Sequence, residues 1–360
     1  MAPRRGGGSY GGGGSSVSCS SSAFSLERER IQIAFHALYF IVSLVLLVVA
    51  RRRINLNKKQ GQPIVAAFTL SLSILLAMLY YLDSIVYIVI GQCGSVGIFE
   101  YYPAIIVANW LYMLSEYILV AVILTSICRK LQNDFGRVEQ LILTLQTAWA
   151  GILGVFVVTS LSISTAMTVY SWSDELYDSA KRRDLALPLR GIRTTYLVLS
   201  VVGILLASAT MAKSLFHAPV SLRSKNITIW VVSLIGCALG LTLTEMGGYV
   251  DFNFIYDPYA ISSDADAQSW LDKQHALFFL ASFFLAATFY AALKVAAYRV
   301  LPTHTATVIS QAGPSPAYPS HPPMASPNGY SHQVPNNSQS YNTYQAGGYQ
   351  PSQNYSYPAR

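Results

Sequence analysis

Charge is what this 360-residue chain has least of. Asp, Glu, Lys and Arg make up only 11% of it, where a soluble domain carries about 25%. So few charges cannot cover a water-facing surface, which excludes an ordinary soluble globular protein. The 52% of apolar residues point instead to a polytopic membrane protein. Cysteine is scarce too. Cys19, Cys93, Cys128 and Cys237 form no CxxC and no Cys/His cluster, so neither a metal site nor a disulfide framework is expected. A Cys19–Cys93 bridge is the candidate disulfide, on condition that both residues face the outside. The Gly/Ser-rich stretch up to Phe24 has Arg4 and Arg5 but no apolar run. No cleavable signal peptide is therefore expected, and the first span has to do the targeting. The net charge of +7 does not mark a nucleic-acid binder, because the basic residues sit in short loops and not along one amphipathic face.

What the chain does have is seven long apolar runs: Ile31–Ala50, Pro63–Ile90, Ala104–Cys128, Gln140–Tyr170, Thr194–Phe216, Ile227–Val250 and Gln274–Tyr298. Each reaches the roughly 20 residues that a helix needs to cross about 30 Å of hydrocarbon. The expected fold is an all-α membrane protein, a seven-transmembrane helix bundle over residues 27–300. It lies between a disordered Gly/Ser-rich N-terminus (1–26) and a disordered Pro/Ser/Gln/Tyr-rich tail (301–360) too poor in aliphatics to build a core. Thirteen Lys and Arg flank one side of the spans, among them Arg51–Arg53, Arg129, Lys130 and Lys213, against eight on the other. That bias places the N-terminus outside and the tail in the cytoplasm, with Ser171–Arg193 read as an outer, basic loop. The plasma membrane is preferred over an internal one. No internal repeat is visible among the spans, which counts against a repeat-built transporter.

Several ionisable residues interrupt the runs. Glu116 comes twelve residues into the third span, about 18 Å down and close to the bilayer midplane. A charge there costs about 2.5–3.5 kcal/mol on insertion scales, so its position calls for a reason. Asn109 and Tyr112 precede it by seven and four residues and share its helix face. Asp83, His36, Glu245 (with Thr242 and Tyr249 on its face) and His275 all fall in the outer halves of their spans. Thr159, Ser160, Ser162, Ser164, Thr165 and Thr168 enrich the outer half of the fourth. Together these residues outline an outward-facing polar cavity with Glu116 as its floor. Three carboxylates in one cavity repel unless protonated or neutralised by a cation, so a small cationic or hydrogen-bonding ligand is expected. The competing reading for the Ser and Thr residues is interhelical hydrogen bonding, worth about 0.6 kcal/mol each.

Seven spans with an outside N-terminus and a cytoplasmic tail resemble a G-protein-coupled receptor in outline. The third span ends SICRKLQND with no D/E-R-Y, and the seventh ends FYAALKVAAY with no N-P-x-x-Y, so the resemblance is one of topology. A retinal protein would need a lysine in the middle of the seventh span, whereas Lys294 lies at its end. His36 and His275 lack the third ligand of a zinc hydrolase, and no G-x-S-x-G elbow occurs. Neither an enzyme nor a cofactor is therefore expected. The function expected is a receptor or sensor, its tail engaging a cytoplasmic protein partner. A proton- or cation-coupled carrier and a non-catalytic membrane organiser are the alternatives.

The orientation is open to a direct check. Asn226-Ile-Thr, Asn336-Asn-Ser and Asn354-Tyr-Ser all fall on the side assigned to the cytoplasm, so none should carry a glycan. An endoglycosidase-sensitive gel shift, lost when these asparagines become glutamine, would reverse the topology.

Overall fold

The computed structural model describes Phe24 and residues 27–59, 65–93, 98–135, 139–172, 179–218, 225–255 and 264–298. Eight α-helices occupy them: α1 (Glu27–Lys59), α2 (Val65–Cys93), α3 (Ile98–Val122), α4 (Cys128–Asp134), α5 (Gln140–Trp172), α6 (Ser179–His217), α7 (Lys225–Val250) and α8 (Asp264–Ala297). A π-helical turn, Ile123–Ile127, joins α3 and α4 into one rod, and a second, Asp251–Ile255, extends α7. Counted as rods, seven are long and apolar enough to cross a membrane, and no strand occurs among the described residues. The terminal segments expected to be disordered lie outside the described residues, Phe24 apart.

The rods alternate in direction, and polar ties at their ends show it. At one end Gln92 Nε2 donates to Glu29 Oε1 at 2.6 Å, joining the end of α2 to the start of α1. At the other, Lys213 pairs with Glu139 at 2.7 Å, joining the end of α6 to the approach to α5. There too Lys130 Nζ donates to the carbonyl of Tyr298 at 2.6 Å and to Asp134 at 2.7 Å. These are called below the Glu29 end and the Lys130 end. Neighbours in sequence are neighbours in space, and α1 also packs on α8, which closes the ring.

The α3–α4 rod runs through the centre. Leu119, Ile123, Leu124, Ile127 and Leu131 are fully buried on it, while Ile41, Val45, Phe68, Val155 and Val232 on the outer helices are exposed. Large apolar side chains ranged around the outside suit a hydrocarbon solvent and not water. Between helices, packing and backbone-directed hydrogen bonds replace the hydrophobic effect. Ser73 Oγ donates to the Ser115 carbonyl at 2.6 Å and Ser115 Oγ to the Ser73 carbonyl at 2.9 Å, so α2 and α3 touch backbone to backbone. Trp149 Nε1 reaches the Leu199 carbonyl at 3.0 Å across the α5–α6 seam, above Gly203.

Helix bounds differ most from expectation at α6. The helix starts at Ser179, not at Thr194, so most of the supposed outer loop is about four more turns of helix and the basic residues on it are helical. The charges and Pro188 hid this. Proline forfeits one backbone donor, but the helix continues through it because the freed carbonyl belongs to Asp184, which is exposed to solvent.

Gly236 and Gly240, four residues apart on α7, behave differently. A Cβ on Gly240 would come within 2.6 Å of the Phe284 ring on α8, whereas one on Gly236 meets nothing within 4 Å. Gly240→Ala should therefore lower the melting temperature of the detergent-solubilised protein by an amount equivalent to about 1–3 kcal/mol, the usual cost of overpacking. Gly236→Ala should leave it unchanged or raise it, by up to about 1 kcal/mol of helix propensity. Equal melting curves for the two variants would show that this seam is not tightly packed.

Candidate functional site

At the Glu29 end a cavity of about 820 Å³ opens between α6, α7 and α8. Its walls follow from helical spacing. On α7, Glu245, Gly248, Tyr249 and Phe252 recur at three- and four-residue steps; on α8, Gln274, Leu277, Phe278 and Ala281 do the same. On α6, Arg183, Ala186, Arg190 and Arg193 share one face. Tyr80 from α2, Tyr112 from α3 and Met167 from α5 complete the lining. The depth order follows from the alternating directions. Arg183, Asn253 and Gln274 lie toward the mouth; Arg193, Glu245 and Tyr112 lie toward the base.

The base is a polar cluster. The Tyr112 hydroxyl donates a short hydrogen bond to Glu245 Oε1, tying α3 to α7. Tyr80 packs on Tyr112 with ring centroids 4.9 Å apart, and the Arg193 guanidinium lies 5.4 Å from the centroid of Tyr249. Arg193 is in attractive electrostatic reach of both Glu245 and Glu116, and Glu116 in repulsive reach of Glu245. One helical turn beyond Tyr112, about 6 Å deeper, Glu116 is 97% enclosed and its Oε1 has no hydrogen-bond partner. At the rim Asp251 is satisfied by Lys273, with which it forms an ion pair, and by Gln274 Nε2 at 3.1 Å.

The other expected site residues are distributed differently. Glu116 does not line the cavity; it lies beneath the floor that Tyr112 and Glu245 make. His36 and Asn109 line a separate pocket of about 390 Å³ between α1, α2 and α3, which shares only Tyr80 with the main cavity. There His36 stacks on Phe278 at 4.7 Å with its Nδ1 2.8 Å from the Gln32 carbonyl, while Asn109 Nδ2 donates to Ser164 at 3.1 Å. His275 lines a third pocket, about 680 Å³, between α1 and α8. Asp83 lines none of these, and its Oδ2 is buried without a partner. Cys93 is disulfide-bonded and Cys128 and Cys237 are free thiols; Cys19, the expected partner, lies outside the described residues. Among the described residues no three His, Cys, Asp or Glu side chains gather as a metal group would require.

In the Ser/Thr set of the fourth span, two side chains bond across to α3 and three only within α5, while Ser160 Oγ is buried without a partner. Ser164 accepts from Asn109, and Thr165 accepts from Trp110 Nε1 at 2.9 Å. Thr159, Ser162 and Thr168 each return a hydrogen bond to the carbonyl four residues back, which satisfies the hydroxyl within its own helix.

The residues that reading by sequence missed are Arg183, Arg190 and Arg193. Assigned to a loop, they had no common face; on a helix their seven- and three-residue spacing is that of one stripe. That spacing was the available signal. No protein-family model, curated protein or solved structure matches the chain. The site is accordingly interpreted from its geometry.

The phenol–carboxyl bond between α3 and α7 is a structural tie as well as a part of the cavity. Tyr112→Phe should lower thermal stability by about 1–3 kcal/mol, the cost of leaving a buried acceptor unpaired. A melting temperature equal to wild type would mean that the Glu245 carboxyl is solvated in the cavity and needs no partner.

Proposed function

We propose that the chain is a receptor-like, non-enzymatic multi-pass membrane protein whose cavity at the Glu29 end faces the outside of the cell and takes a small ligand. One observation carries this reading: the polar cavity stops at the level of Glu116, and the rod beyond it is closed by aliphatic packing. Past Glu116 the α3–α4 rod buries Leu119, Val120, Ile123, Leu124, Ile127 and Leu131 completely or nearly so. From the facing helices come Ile204, Ala207, Met211, Val231 and Leu234, equally enclosed. Gln146 and Thr210 bond to each other at 3.0 Å within that half. A cavity of several hundred cubic ångströms with a few convergent polar groups is the ordinary form of a small-molecule site. A site that ends at a dry wall binds; it does not conduct. Glu116, Glu245 and Arg193 at its base are placed to sense occupancy, since a change of charge above them alters a balance held in a low dielectric.

A second reading, proton-coupled carriage, is favoured by the unpartnered Oε1 of Glu116. The two separate in proteoliposomes. A receptor should leave an imposed pH gradient to decay at the same rate with wild type and with Glu116→Gln, while the variant keeps or gains thermal stability because a costly buried acid is gone. Faster decay with wild type than with Glu116→Gln would select the carrier.

The direction of the cavity is testable on intact cells. Gly248 lines it, and a side chain there would meet only Leu277 Cδ1, at 3.8 Å, so Gly248→Cys should fold. It should react with a membrane-impermeant maleimide added outside, above the background set by the native thiols. Labelling only after permeabilisation would overturn the outward-facing, plasma-membrane reading.

A further inference from the structure

We propose that the cavity's ligand is an anionic amphiphile, with a carboxylate or phosphate head held between Arg190 and Arg193 and an apolar body laid against α7 and α8. This deepens the receptor reading and rests on it. Three carboxylates considered alone called for a cation; the stripe on α6 changes the balance. Three arginines line the cavity against a single lining carboxylate, Glu245. Even with the deeper Glu116 also ionised, one positive charge is left over, because Asp251 at the rim is already paired with Lys273.

The carboxyl groups and the guanidinium groups also differ in what they already touch. Glu245 accepts from Tyr112, and Asp251 from Lys273 and Gln274. Among the described residues Arg183, Arg190 and Arg193 make no side-chain hydrogen bond and no ion pair within 4 Å, and Arg193 Nε is buried without an acceptor. A guanidinium is a planar fork of donors shaped to accept carboxylate or phosphate oxygens. Arg190 and Arg193 are three residues apart on one helix face, a rise of about 4.5 Å, so both side chains can converge on one head group. Arg183, two turns nearer the mouth than Arg190, supplies field for an approaching anion. Part of the remaining wall is apolar: Leu189, Phe252, Leu277, Phe278 and Ala281 face the same space, beside the polar Asn253 and Gln274 at the mouth. A bare inorganic anion would leave that wall uncovered, whereas a short acyl or alkyl body covers it.

Two sources offer this chemistry, a soluble amphiphile and an anionic lipid of the surrounding leaflet, and one experiment separates them. The full-length chain is reconstituted in phosphatidylcholine nanodiscs and titrated with decanoate, decyl phosphate and, as a cationic match of equal chain length, decyltrimethylammonium. Thermal melting and direct binding are read. Decanoate or decyl phosphate should raise the melting temperature by several degrees, and the ammonium should not. Arg190→Gln and Arg193→Gln should each weaken anion binding at least about tenfold, the effect of losing one charge-assisted hydrogen bond. Arg190 is exposed and its replacement should fold normally, so it decides the matter should Arg193→Gln be unstable. In discs doped with phosphatidic acid, native mass spectrometry should find that lipid retained by wild type and lost from Arg190→Gln if the leaflet is the source. Decanoate binding in its absence, with no retained lipid, assigns a soluble ligand. Preference for the ammonium, no binding of any probe, or anion binding unchanged in both arginine variants would each overturn the proposal. Of these, ammonium preference would sink the anionic ligand while leaving the receptor reading intact.

Discussion

A polar group within the hydrocarbon slab has no water to turn to, and the arrangement of this bundle follows from that constraint. Most hydroxyls, amides and carboxyls described on the seven rods bond within their own helix, bond to a neighbouring helix, or open onto a cavity, with the buried Asp83 Oδ2 and Glu116 Oε1 among the exceptions. Thr159 and Ser162 take the first course and stay on the outside; Ser73 with Ser115 and Gln146 with Thr210 take the second and hold rods together. The groups that face one another around α3, α6, α7 and α8 take the third. The cavity is therefore where this bundle keeps the polarity that its interhelical seams do not absorb.

The base of the cavity concentrates the remaining cost. Glu116 and Glu245 repel, Arg193 attracts both, and Tyr112 gives Glu245 a proton donor that links α3 to α7. Removing any one member changes the balance the others feel in a low dielectric, so their energies are coupled and do not add. Below them the α3–α4 rod is packed by aliphatics, which resist deformation. A charge arriving above such a cluster meets stiff packing below and a π-helical turn, Ile123–Ile127, in the rod that carries Glu116. Such turns recur at functional sites in helices, and this one lies within the dry half of the rod, about two helical turns past Glu116.

The arginine stripe shows how an element boundary can decide chemistry. Lys181 to Arg193, crossed by Pro188, reads as a solvated loop because the local composition carries no apolar periodicity. Extended as helix, the same residues divide by face. Arg183, Arg190 and Arg193 turn toward the cavity, and Leu187 turns outward to 73% exposure. The balance of charge lining the cavity changes with that one reassignment. The His residues give a parallel case. His36 and His275 have similar depth along the chain, yet they belong to different pockets, because α1 stands between α2 and α8 and presents a different face to each.

Much of the architecture was determined by sequence alone, because lipid imposes one strong rule: about twenty apolar residues for each crossing. The seven spans, the all-α character and the gathering of polar groups toward one half of the bundle are all consequences of one-dimensional position and helical periodicity. So is the burial of Glu116 on α3, since a carboxylate in mid-span has only the interior to face. Pairing was decided by the tertiary structure. Whether Glu245 meets Tyr112, whether Asn109 turns to Ser164, and whether Glu116 lines the cavity or lies under its floor depend on how α3 is rotated against α5 and α7. A helix face is about 100° wide and borders two or three neighbours, so periodicity names the face without naming the neighbour. Only packing, which fixes that rotation, brought Arg193 to the two acids.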